Sequence, residues 1–63
     1  MIVNFYKKIG ANKQRKYVPI TTKNIECVPQ KEMIIRFLGQ FFVVERVCFD
    51  ADICEYHVYT KRI

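Results

Sequence analysis

The sequence predicts a small all-β domain of five strands that curl into a barrel, with a C-terminal three-strand meander. Three observations carry that expectation. Residues Ile53 to Thr60 alternate between apolar and polar positions, the period of a half-buried strand. The Phe41 to Phe49 segment is dense in aromatic and β-branched residues, which favour a pleated surface over a helix. Turn formers, Gly39-Gln40 and Asp50-Ala51-Asp52, separate these apolar segments.

Taken in order, Ile2 to Tyr6 reads as a first strand and Lys7 to Lys16, rich in bases and amides, as a loop. Tyr17 to Thr22 is β-like, but Pro19 cannot donate to a ladder, so this strand belongs at an edge. A short extended piece from Ile25 to Val28 stops at Pro29. Met33 to Leu38 is the third strand, Phe41 to Phe49 the fourth and Ile53 to Thr60 the fifth. In the fourth strand Phe42 and Val44 have the opposite parity to Val47 and Phe49, so a bulge at Glu45-Arg46 would turn all four inward. A helix opening at Pro29 competes, with Ile34, Phe37, Leu38 and Phe41 at helical spacing, but Gly39 interrupts it.

Sixty-three residues, 51% of them hydrophobic, allow one domain with a small core. A core of this size leaves about 3–5 kcal/mol of net stability, which makes a homo-oligomer or a stabilising partner an open expectation. The charge is polarised. Residues 1–25 carry Lys7, Lys8, Lys13, Arg15, Lys16 and Lys23 without one acid, whereas residues 26–63 carry five bases against six acids. A concentrated basic arm implies an acidic partner surface. No run of about 20 apolar residues exists to span a membrane, and the first residues do not read as a signal peptide. Three cysteines without framework spacing suit a reducing interior, so the expected location is intracellular.

Pro29, Ile35, Phe37, Gly39, Phe42, Val44, Val47, Val58, Tyr59 and Ile63 form a framework: a proline, an apolar strand, a phenylalanine two residues before a glycine, an aromatic-x-valine strand and a basic closing strand. This pattern, over about half the chain, resembles short proteins of tailed phages and mobile elements that look like small SH3-like barrels. The resemblance implies an SH3-like five-stranded barrel of viral origin, located in the host cytoplasm or the virion, and no particular activity.

Two surfaces are candidates for partner binding. The basic arm holds Lys7, Lys8, Lys13, Arg15 and Lys16 between Tyr6 and Tyr17; flexible cations beside aromatics suit phosphates and stacked bases, and a merely solubilising loop is the competing reading. The second is a stripe on the last strand, Glu55, His57, Tyr59 and Lys61, ending at Arg62. Cys27, Cys48, Cys54 and His57 lack the paired short spacings of zinc sites and are read as buried small residues and a strand histidine; no metal or cofactor is expected. Asp50 and Asp52 are read as turn formers. The chain has no serine and no glycine-rich phosphate loop, so catalysis is not expected.

These readings point to a non-enzymatic binding module, phage- or mobile-element-encoded, that docks on a host or virion protein, with inhibition one consequence of docking. A non-specific nucleic-acid binder using the 7–16 loop and a minor virion structural protein are the alternatives.

Overall fold

The computed structural model describes residues 1–10 and 16–63. It is all-β, with strands β1 (Ile2–Ile9), β2 (Lys16–Asn24), β3 (Ile34–Phe37), β4 (Gln40–Asp50) and β5 (Glu55–Arg62). They form one sheet in the order β2-β1-β5-β4-β3. Among the described residues there is no helix, so the helix that competes for Pro29 to Phe41 is not formed. Gly39 ends that stretch in a hairpin instead.

The β1–β2, β3–β4 and β4–β5 pairs are antiparallel, while β1 and β5 run parallel, with Val3 beside Tyr56 and Phe5 beside Val58. The parallel pair joins the two ends of the chain at the centre of the sheet. β2 and β3 remain as the two edges, so the sheet is a curled half-barrel rather than the closed barrel predicted from sequence. Its concave side holds the core. Val3, Phe5, Phe42, Val44 and Val58 are buried there, and Ile20 of β2 and Ile35 of β3 pack from opposite edges against the cluster of Val3, Phe5, Val44 and Val58. Ile25 and Val28, in the segment between β2 and β3, close one end. The buried Thr60 hydroxyl donates to the Tyr6 carbonyl oxygen (2.8 Å), so the one buried polar side chain among the described residues is satisfied.

The register breaks between Val44 and Arg46, where Glu45 and Arg46 stand opposite Tyr59. This is the bulge that the parity change predicts, and it brings Phe42, Val44 and Val47 to one side. Phe49 is the exception: it rests against Tyr56 (ring centroids 4.7 Å) yet is 50% exposed, because it sits where the sheet runs out. A second irregularity, between Phe5 and Tyr6, sets Ile20 out of register beside Pro19 on the β2 edge. Pro19 thus stands on an edge strand, as its missing N–H requires.

Other boundaries differ from expectation. β1 continues through Lys7 and Lys8 to Ile9, and β2 begins at Lys16, so these four residues of the predicted loop lie in the ladder instead. Cys54 lies in the turn before β5 with φ of 54°, not in the strand. In that turn the Asp52 N–H donates to Asp50 Oδ1 (3.0 Å), the local bond expected of a turn-forming aspartate. All three cysteines are exposed free thiols, contrary to the buried role expected, since each falls on a rim or on the outward side of the sheet.

The β3–β4 turn is shifted one residue from Gly39-Gln40. Phe37 pairs with Gln40, and the two residues between them, Leu38 (φ 50°) and Gly39 (φ 75°), both have positive φ. That is the geometry of a two-residue turn of type I′, which favours Asn-Gly. A leucine there is strained and gains nothing from burial, being 85% exposed. Leu38→Asn is therefore expected to stabilise the domain by about 1 kcal/mol, raising its thermal midpoint by ~4–8 °C in a calorimetric comparison.

Candidate binding surface

Strand alternation divides the sheet into a greasy concave side and an outer side that carries the chemistry. Asn4, Tyr6 and Lys8 of β1 point outward, as do Glu55, His57, Tyr59 and Lys61 of β5. Because β1 and β5 are parallel, Asn4 lies beside His57 and Tyr6 beside Tyr59. The bulge in β4 adds Glu45 and Arg46, and β2 adds Tyr17 opposite Lys8.

These side chains form a connected cluster around Tyr59. The Tyr6 ring stacks on Tyr59 with centroids 4.9 Å apart and planes inclined by 16°. Tyr17 meets Tyr59 edge-on at 4.9 Å, and the Arg46 guanidinium lies 4.5 Å from the same ring centroid. Glu45 accepts from Lys8 Nζ (2.9 Å) and from the Tyr17 hydroxyl (3.1 Å). The Lys8 bond holds the Glu45 carboxyl below its ordinary range; partial burial opposes this, and Tyr17 with the positive charges of Lys8 and Lys61 adds to it. A depressed carboxyl contributes stability that is present above the ordinary glutamate value and lost as pH falls through the lower folded one. Glu45→Gln is accordingly expected to reduce the drop in urea midpoint between about pH 6 and about pH 3.

Toward the other end of β5, His57 Nδ1 and the Tyr6 hydroxyl are 2.8 Å apart, and Asp50 Oδ2 lies 4.0 Å from His57 Nε2. Burial raises the Tyr6 phenol above its ordinary value, with smaller contributions from Tyr59 and Glu55. Asn4 donates to Glu55 Oε1 (2.8 Å) and accepts from Thr22 (2.7 Å), which ties three strands together. The strand histidine of the sequence reading, His57, is thus half-buried and bonded. Cys48 faces His57 across β4 and β5, but the two ring nitrogens are directed at Tyr6 and Asp50. Among the described residues no group of three His, Cys, Asp or Glu is placed to hold a metal.

The predicted site residues separate in an informative way. Lys8, Tyr17, His57, Tyr59 and Lys61 share the outer face. Lys7 and Lys16 have the opposite parity on the hairpin, and Arg62, opposite Phe42, lies on the concave side at the sheet end. Lys13 and Arg15 fall outside the described residues. The basic arm is therefore split between two faces, and its Lys8 is already paired with Glu45. Glu45 and Arg46 are members that the sequence reading did not assign to the site. The signal was available, since a bulge sends two consecutive side chains to the same face.

Beyond Lys61 the outer face turns apolar. Val43 pairs with Lys61 and with Ile34, Phe41 pairs with Arg36, and the Ile63 N–H donates to the Phe41 carbonyl oxygen (3.1 Å). Ile34, Phe41 and Ile63 are 60%, 52% and 69% exposed, an apolar patch continuous with the tyrosine cluster. Among the described residues no helix is long and apolar enough to cross a membrane. No protein-family model, no curated protein and no solved structure matches the chain.

Proposed function

We propose that this protein is a non-enzymatic binding module that docks on another protein through the outer face of β3, β4 and β5. One observation carries the reading: a single strip joins Tyr59 and Arg46 to exposed Phe41, Ile34 and Ile63. Aromatic and arginine side chains beside an uncovered apolar patch are the composition of a protein interface core. Of the cations on this face Lys8 is neutralised by Glu45 and Arg46 lies over the Tyr59 ring; Lys61 and Arg36 flank the exposed Phe41, Ile34 and Ile63, an apolar end that offers nothing to phosphates. Within this reading the half-barrel is a version of the SH3-like barrel, its last three strands are the meander, and the gene belongs to a tailed phage or mobile element. The framework residues from Pro29 to Ile63 support that assignment. Its partner is a host or virion protein whose own contacts would be blocked on docking.

The test is retention from a lysate of the cells that carry the gene, run with and without nuclease treatment, comparing wild type with Phe41→Glu. A stoichiometric protein retained by the wild type and released by the variant supports the reading. Retention of nucleic acid alone, or a protein retained equally by both, overturns it.

A further inference from the structure

The concave side has a feature that the outer-face reading does not use. Between the edges β2 and β3 runs a groove floored by Phe5, Ile20, Ile35 and Phe37, with a cavity of about 100 Å³ at one end. That volume suits one apolar side chain. The groove continues past Phe42 and Leu38. Its charged lining residues are Lys7, Lys23 and Arg36, and no carboxylate lines it.

The two edges differ in what they offer. On β2, Pro19 has no N–H and the adjoining bulge at Ile20 breaks the ladder, the usual protection of an edge. On β3, the Val44 N–H donates to the Met33 carbonyl oxygen (2.9 Å), which marks that pair as hydrogen-bonded. Alternation then turns Ile35 and Phe37 toward β4 and leaves the N–H and C=O groups of Ile34 and Arg36 facing outward. The bulge on this side, where Glu32 (φ 73°) and Met33 both bond to Val44, precedes the strand, and Ile34–Phe37 itself carries no proline and no register shift. At its tip sits Leu38, held at positive φ and almost fully exposed, a strained placement that makes sense for a contacting side chain.

We infer that the β3 edge accepts an extended acidic peptide segment as a sixth strand, with every second side chain apolar and seated in the groove between β3 and β2. Main-chain bonds to Ile34 and Arg36 supply the pairing, and the groove selects the apolar positions. Arg36, of outward parity, selects acidic residues at the alternate positions, and Lys7 and Lys23, of concave parity, select acidic residues beside the apolar ones at the ends of the groove. This site is separate from the tyrosine cluster and does not depend on the outer-face reading.

A capped heptapeptide of alternating aspartate and valine is the probe, with amide hydrogen exchange followed residue by residue. At saturation, exchange at Ile34 and Arg36 is expected to slow by about tenfold or more. Arg36→Glu, at an exposed position, should weaken binding by about tenfold, and a peptide N-methylated along its bonding edge should not bind. Three results would overturn the inference: unchanged exchange at Ile34 and Arg36, equal binding when lysine replaces the aspartates, or protection that grows with protein concentration alone. The last would assign the edge to a second copy of this chain.

Discussion

Phe42→Ala is expected to abolish cooperative unfolding of this domain, while Phe41→Ala, one residue away, leaves it folded. Phe42 is 2% exposed on the concave side, in a core otherwise made by Val3, Phe5, Val44 and Val58. Removing a buried phenylalanine ring costs about 3–5 kcal/mol, from lost transfer energy and the cavity left behind. A single core of this size provides about the same amount in total, so nothing remains to hold the fold. The half-barrel has no second layer that could collapse into the space, since the groove between β2 and β3 already borders Phe42. Phe42→Leu, which keeps most of the volume, should restore a measurable transition at reduced midpoint. Phe41 is 52% exposed on the opposite face, and its truncation should shift stability by less than about 1 kcal/mol. Thermal melts followed by far-ultraviolet circular dichroism separate the variants. The reverse order, a larger loss at Phe41 than at Phe42, would mean that β4 pairs one residue out of this register.

Much of the all-β fold was legible because it is written in local pattern. The parity change between Val44 and Val47 announced the bulge, Pro19 announced an edge, and Asp50 with Asp52 announced a turn. What stayed hidden depends on partners far away in sequence. Nothing near Ile2 states that β1 lies parallel to β5, so the neighbours of Tyr6 and Asn4 could not be named. Lys7 and Lys8 look like loop residues by composition, yet the ladder with β2 and the Glu45 carboxylate hold them in a strand. Exposure at the sheet ends, as for Phe49 and Cys48, follows from where the ladder stops rather than from residue type. The Tyr59 stripe was visible in the alternation of β5, but its companions Arg46 and Glu45 required the pairing across the bulge. The apolar continuation through Phe41 and Ile63 was obscured for the opposite reason. Phe41 reads as one more core residue until the register assigns it to the outer face.

Phe41→Glu is the second change with a large expected effect, this time on partner binding rather than on folding. The substitution places a carboxylate in the centre of the strip formed by Ile34, Val43, Ile63 and Lys61. The free protein should tolerate it. The position is half exposed, and Arg36 stands directly across β3 to receive the new charge. In a complex the same carboxylate would be taken out of water against an apolar partner surface, which carries a desolvation penalty that one exposed arginine offsets only in part. Loss of a central aromatic anchor alone costs about 2 kcal/mol or more, roughly a thirtyfold weaker affinity. Tyr59→Phe gives the complementary measurement. It retains the ring that meets Tyr6, Tyr17 and Arg46 and removes only the hydroxyl, so affinity should change by less than about threefold if packing against the ring carries recognition. Equal affinity of Phe41→Glu and wild type, with unchanged melting, would place the partner elsewhere on the molecule. A large loss confined to Tyr59→Phe would instead transfer the recognition from apolar packing to a hydrogen bond at that hydroxyl.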